Sequence, residues 1–246
     1  MRRHLRVLAA VALAGVAVSG LGACGLTDRS TYEDDAKLSA NIKSVRLDSG
    51  SGGLTLRGKK SLDTVSVHRE LRYRGERPEK ASHHVENGVL VLGGCGSNCS
   101  VHYTVVVPAG LPVTGETGSG AVNLSEVGAV RMTTSSGAVN LNGVSGAVDV
   151  RTSNGRIHGR GLRGNGVQAR TSNGAVDLVT EIPQSVLAET SNGAISLTVP
   201  GGRHNRYRIA AETDNGHKSL NVPNDPAGTY RLDLTTANGA ITVKEA

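Results

Sequence analysis

Apolar and polar positions alternate in short runs through the C-terminal half of the chain. Val130/Met132, Val148/Val150, Val167/Ala169, Val186/Ala188, Ile209/Ala211 and Leu232/Leu234 each set two apolar side chains two residues apart. A spacing of two is the periodicity of a strand with one buried face, not of an amphipathic helix. Each run leads into a corner of the form T-x-S/N-G, after which a second short run opens on Val122, Val139, Ile157, Val176, Ile195 or Ile241. The corner glycines are Gly120, Gly137, Gly155, Gly174, Gly193, Gly216 and Gly239, at steps of 17, 18, 19, 19, 23 and 23 residues. A near-constant period of this length is that of one β-solenoid coil, with two strands joined at the corner. The expected fold is therefore all-β: a single-domain β-solenoid, or parallel β-helix, right-handed by the crossover rule. Regular repeats are expected over 113–246 and an irregular part over 42–112, with weaker copies at Gly52 and Gly88. Seven rungs at roughly 4.8 Å stack to about 34 Å, and the last is expected to end on Thr242–Glu245.

The corners have their own chemistry. Thr opens every copy, and counting by twos from the inward Val or Ala puts it on the inner face, where its hydroxyl can bond the turning backbone. Asn154, Asn173, Asn192, Asn215 and Asn238 precede glycines. The Asn-Gly step predicts a bend through positive φ, with Asn amides bonded from rung to rung. Lys218 departs from the pattern, standing where the other copies have Val or Ile. This suits the end of a stack, where a lysine head can escape to water.

Composition fits thin rungs. The 246 residues include 33 Gly and 5 Tyr, with no Phe or Trp. A core of stacked Val, Ile and Leu has no room for large rings, and each buried side chain is worth roughly 1.5–3 kcal/mol before entropy is subtracted.

The first 23 residues read as an export segment. Arg2, Arg3 and Arg6 precede the apolar run Val7–Ala23, and the run ends in Leu21-Gly22-Ala23-Cys24. This ending resembles the bacterial lipobox, which implies cleavage before Cys24 and lipidation of its sulfur. Residues 24–41, with Asp28, Glu33, Asp34 and Asp35, are expected to be a flexible tether to a domain spanning 42–246. Without residues 1–23 and their three arginines, 24 basic side chains face 21 acidic ones, a net charge of +3. So small an excess, with no basic cluster among aromatics, argues against nucleic-acid binding. Of the remaining cysteines, Cys95 and Cys99 form an even pair in an exported chain. They are expected to form a disulfide at the tip of a hairpin between Val89–Leu92 and Val101–Val107.

The lipobox-like segment, the run Tyr103-x-Val105-x-Val107-Pro108-x-Gly110 and the T-x-S/N-G-x-V/I repeats together resemble one bacterial family. It is the β-strand-repeat domain family labelled "putative adhesin", a domain of unknown function found in envelope proteins. The likeness runs from about Val45 to Val243. It implies a β-helical surface protein. Family members commonly have Gly-Asp at the corner where this chain has Gly-Ala or Gly-Arg, so an acidic ladder is not expected here.

Candidate chemistry is sparse. β-Solenoid polysaccharide lyases and hydrolases need carboxylates or bound calcium converging on one face. The outward positions after the corners are Asn123, Asn140, His158, Asp177, Ser196, Ser219 and Thr242, one carboxylate in seven. On the other strand, Arg131, Arg151 and Arg170 suggest a face for an anionic envelope polymer, against the alternative of a solvated, aggregation-resistant surface. His83, His84 and His102 would suit zinc only if they met, and neighbours on a strand face opposite ways, so no metal or cofactor is expected. The expected function is a non-catalytic cell-surface lipoprotein, an adhesin-like binding or structural module. It would be held to the membrane by a lipid anchor and partnered by envelope polysaccharide or another surface protein. The alternatives are a carbohydrate-active β-helix enzyme and an envelope-stress sensor.

Overall fold

A computed structural model describes residues 29–38 and 41–246. Residues 1–23, expected as an export segment, and Cys24, expected to be lipidated, lie outside the described residues. The N-terminal part contributes β1 (Ser30–Leu38), β2 (Ser44–Ser49), β3 (Leu54–Lys59), β4 (Val65–Tyr73), β5 (His83–Glu86), β6 (Val89–Gly93) and β7 (Cys99–Pro108). The repeats follow as pairs flanking each corner. These are β8 (Val113–Ser119) with β9 (Val122–Ser125), β10 (Val130–Ser136) with β11 (Val139–Asn142), and β12 (Val148–Asn154) with β13 (Ile157–Leu162). Next come β14 (Val167–Asn173) with β15 (Val176–Thr180) and β16 (Val186–Asn192) with β17 (Ile195–Val199). The last pairs are β18 (Tyr207–Asn215) with β19 (Lys218–Asn221) and β20 (Tyr230–Asn238) with β21 (Ile241–Glu245). Among the described residues there is no helix.

The fold is an all-β solenoid of two facing sheets. The first strand of each repeat joins a front sheet of order β18-β20-β16-β14-β12-β10-β8-β2-β6-β5. The second joins a back sheet of order β1-β4-β7-β3-β9-β11-β13-β15-β17-β21-β19. Pairing is parallel throughout the coils and in strict register, so that Val122, Val139, Ile157, Val176, Ile195 and Ile241 form one inward row. Each of these six is 1% exposed or less. Where β13 has Gly159 in the next inward row, a bulge brings the Leu162 side chain into the space beside Leu178.

Coil order differs from chain order at both ends. The β20/β21 coil lies between β16/β17 and β18/β19, and the β2/β3 coil lies between β6/β7 and β8/β9. The segment Thr242–Glu245, expected at the end of the stack, is therefore in its interior. The outermost C-terminal coil is β18/β19, and it carries Lys218. Lys218 donates to the Ala211 carbonyl at 3.2 Å and so covers an edge acceptor that no further strand reaches.

The N-terminal end departs further from the sequence expectation. Ser30–Leu38, inside the stretch expected as a tether, is instead the edge strand β1, paired antiparallel to β4. Its Asp34 and Ala36 face the interior, which the acidic look of the segment conceals. β4 continues antiparallel onto β7. Gly88 is not a coil corner: with Asn87 at φ 52° and Gly88 at φ 81°, it forms the tight turn of the antiparallel β5–β6 hairpin. β6 and β7 belong to different sheets and form no hairpin, so the Cys95–Cys99 loop spans the corner between sheets. All five tyrosines lie toward the two ends of the stack, on β1, β4, β7, β18 and β20, and Tyr103 and Tyr207 are among the largest fully buried side chains.

Gly120 and Gly239 take the expected positive φ, 113° and 155°, but the other five corner glycines are required for a different reason. None of the five Asn residues has positive φ, and neither do Gly137, Gly155, Gly174, Gly193 and Gly216. Stacking packs each corner directly on the next, so a methyl group on Gly174 would collide with the Gly155 carbonyl, and one on Gly193 with that of Gly174. Close approach of backbones, not a left-handed conformation, selects glycine here.

Candidate functional site

The front face carries the candidate arginines, on strands β10, β12 and β14, whose alternate side chains point outward. Register places them in two rows. Arg151 is beside Arg170, and Arg170 beside Glu189, whereas Arg131 is beside Asp149 in the neighbouring row. Arg131 approaches Asp149 at 3.7 Å, Arg151 approaches the same carboxylate at 3.3 Å, and Arg170 bonds Glu189 at 2.7 Å. The three arginines share one face but not one uninterrupted stack, and each has a carboxylate partner. A shallow groove of about 660 Å³ runs across the coils here, with Arg131, Asp149, Gln168, Arg231 and Asp233 on its walls. One oxygen each of Asp149 and Asp233 is buried and makes no hydrogen bond, the Asp149 oxygen facing Arg151 at 3.3 Å.

The back face is richer in amides. Asn140 donates to Asn123 at 2.8 Å, and Arg160 donates to His158 at 3.0 Å. Asp177 is on this face with Arg156 at 3.6 Å. Asp177 on β15 and Glu189 on β16, outward carboxylates of the back and front sheets, thus stand on opposite faces of the solenoid, with the two-sheet core between them. They cannot flank one glycosidic bond. Along the corner the Asn amides form a continuous ladder. Asn173 bonds Asn154 at 2.8 Å, Asn192 bonds Asn173 at 2.9 Å, Asn238 bonds Asn192 at 3.0 Å, and Asn215 bonds Asn238 at 3.0 Å. Asn173, Asn192 and Asn238 thereby each use one donor and one acceptor within the ladder, Asn154 only accepts and Asn215 only donates.

A buried polar cluster closes the N-terminal end. Arg69 is 4% exposed and Asp34 7%. They form a two-pronged pair at 2.7 and 2.5 Å, and Arg69 also donates to Ser82 at 3.0 Å. The Tyr103 hydroxyl reaches Ser82 Oγ at 2.5 Å and the Gly93 carbonyl at 2.8 Å, and burial pushes its pKa up to about 12. This cluster was not anticipated from the sequence. A signal was available: Arg69 interrupts the inward phase of Val65, Val67 and Leu71.

His83 packs edge-on to Tyr103, with ring centroids 6.5 Å apart. Burial, reinforced by the Arg69 charge, lowers its pKa and favours the neutral ring. His83 and His84 are on β5 in the front sheet, whereas His102 is on β7 in the back sheet, with its ring 3.5 Å from the Thr55 hydroxyl. Among the described residues no group of three His, Cys, Asp or Glu side chains converges as a metal site. Cys95 and Cys99 are joined by a disulfide, with Cα atoms 5.7 Å apart.

A family model described as Toastrack DUF4097 matches residues 35–244. No curated protein matches the sequence. Among solved structures the chain is similar to a "putative cell adhesion protein" from Clostridium sporogenes, at 15% identity over 88% of this chain and 100% of that one, with a TM-score of 0.36. It is also similar to a "putative adhesin" from Parabacteroides distasonis, at 14% identity over 89% of this chain and 98% of that one, with a TM-score of 0.43. A further "putative adhesin", from Bacteroides fragilis, is 13% identical over 90% of this chain and 100% of that one, with a TM-score of 0.42.

Proposed function

The chain belongs to the Toastrack DUF4097 family, and from that premise we propose that it is a non-catalytic, adhesin-like surface module of the bacterial envelope. In this reading residues 1–23 direct export, Cys24 carries the lipid that holds the protein at the membrane, and the front face binds envelope polysaccharide. The observation that carries the reading is the front groove. It crosses successive coils with a repeated display of guanidinium, carboxylate and amide groups, from Arg131 through Asp149 and Gln168 to Asp233. A polymer laid along such a face makes many weak contacts that add by multivalency. Asp177 and Glu189 are separated by the whole core, and the two groove carboxylates, Asp149 and Asp233, stand three rungs apart, about 14 Å, each engaged by arginine, which supports binding over hydrolysis.

Because Arg131, Arg151 and Arg170 are each already paired with a carboxylate, recognition rests on directed hydrogen bonds more than on net charge. Replacing Arg131 in the groove, together with Arg151 and Arg170 beside it on the same face, by Ser is expected to weaken capture of envelope polysaccharide by about tenfold or more. The loss should persist in raised salt, since screening acts mainly on exposed net charge. Circular dichroism should show the fold intact. Capture unchanged by the triple substitution overturns the assignment of this face, and polysaccharide turnover abolished by Asp177→Asn or Glu189→Gln overturns the non-catalytic reading.

A further inference from the structure

A second basic site lies at the N-terminal end of the solenoid, away from the front groove. Arg29, Arg72 and Arg74 line a cleft of about 530 Å³ beside the disulfide loop, which adds Ser97, Asn98 and Ser100. The geometry is held from both sides. The Arg74 amide donates to the Asn98 carbonyl at 3.1 Å, tying the end of β4 to the loop, and the Cys95–Cys99 bond closes the loop on itself. β1 enters the sheet at Ser30, paired with Tyr73, which sets Arg29 beside the end of β4.

The charge here is unlike that around the front groove. On the front face Arg131, Arg151, Arg170 and Arg231 all have carboxylate partners. In the cleft only Arg72 has one, Glu70 at 2.6 Å. Arg29 and Arg74 form no ion pair among the described residues, and no described carboxylate lines the cleft. Three arginines lining one cleft, with a carboxylate on Arg72 alone, leave an excess of positive charge there that favours an anion. Their planar forks, with the hydroxyls of Ser97 and Ser100, match the oxygens of a phosphate group.

The position of the cleft narrows the source of that phosphate. Arg29 is five residues after Cys24, a reach of at most about 18 Å for extended chain. A lipid on Cys24 would therefore keep the cleft within reach of the headgroup layer, where basic side chains are attracted to anionic lipids. We propose that Arg29, Arg72 and Arg74 form a binding site for the phosphate of anionic phospholipid headgroups, seating the N-terminal end of the solenoid on the membrane. The membrane location rests on the lipoprotein reading given above, whereas the headgroup chemistry can be tested without the lipid.

Residues 25–246, which contain every strand of the fold, are mixed with vesicles of pure phosphatidylcholine or with vesicles containing one third phosphatidylglycerol. Sedimentation is expected with the anionic vesicles alone. The double variant Arg29→Ser/Arg74→Ser should bind about thirtyfold more weakly, each arginine near an anionic surface being worth about fivefold. Arg29→Lys/Arg74→Lys should recover part of the loss, and Arg131→Ser/Arg151→Ser should bind as the parent does. Equal sedimentation with both vesicle types, an unchanged double variant, or an equal loss on changing the front arginines would each overturn the proposal. Inorganic phosphate bound by the chain without vesicle binding would also overturn it, since the ligand would then be the free anion. Acylation of Cys24 is read separately, from the intact mass of the exported full chain. A failed headgroup site and a failed lipid anchor thus give different results.

Discussion

Thr171 and Thr134 occupy the same inward position on different rungs and differ by one hydrogen bond. Thr171 donates to the Gly155 carbonyl at 3.0 Å, and Thr152, Thr190, Thr213 and Thr236 bond corner glycine carbonyls in the same way. The Thr134 hydroxyl is buried with no partner. Replacing either with Val keeps the shape and removes the hydroxyl. Thr171→Val is expected to lower stability by about 1 kcal/mol, and Thr134→Val to leave it unchanged or raise it slightly. Urea denaturation midpoints of the two variants check this, and a lower midpoint for Thr134→Val would contradict it. The sequence made the inward threonines legible, because strand parity fixes which way they point. It also made the Asn ladder legible, because five copies share one register. It did not reveal why the corners need glycine: the collision of Gly174 with the Gly155 carbonyl depends on how closely the rungs stack, and no single repeat contains that information.

Elements at the two ends of the solenoid solve the open-edge problem differently. The C-terminal coil relies on Lys218 and on Asn224, whose side chain accepts from the Ile209 amide at 2.9 Å. The N-terminal end adds antiparallel strands β1, β4 and β5 and buries the Asp34–Arg69 pair beneath them. Here the sequence misled, since parity alone could not decide that Glu33, Asp34 and Asp35 belong to a strand. Only the partner β4, with Arg69 facing inward, makes Asp34 a core residue. The same cap carries a pH dependence through His83. Its folded pKa is depressed, so in the unfolded chain the ring takes up a proton near its ordinary value of 6.5 while the folded one stays neutral. The stability it contributes is complete above that value and is lost as pH falls through the lower folded pKa. Amide exchange in β4 and β5, corrected for the intrinsic rate, should therefore rise on going from pH 7 to pH 5. His83→Asn should show a smaller rise, and equal rises in the parent and variant would remove His83 as the cause.

At the scale of the molecule, eleven back-sheet strands at roughly 4.8 Å make a stack of about 50 Å. Chain order and spatial order disagree in its last two coils. The repeat steps contained the trace of this: they lengthen from 19 to 23 residues for the last two intervals, giving the chain slack to climb past one rung and return. Slack alone does not specify a crossing, so the sequence supported a simple succession of rungs. The difference has a mechanical consequence. β20 pairs with both β16 and β18, and β21 with both β17 and β19, so the C-terminal residues hold an interior rung. Ending the chain at Thr229 would remove β20 and β21 and leave β18 and β19 without a partner, although their own sequence is intact. In a quasi-one-dimensional stack, in which each coil is stabilised only by its neighbours, two coils should be lost for one deleted. Exchange protection is then expected to vanish across Tyr207–Asn221 and to persist over Val113–Asn173. Retained protection in β18 would mean that it had re-paired directly with β16, and that the crossing is not needed for the terminal coil to fold.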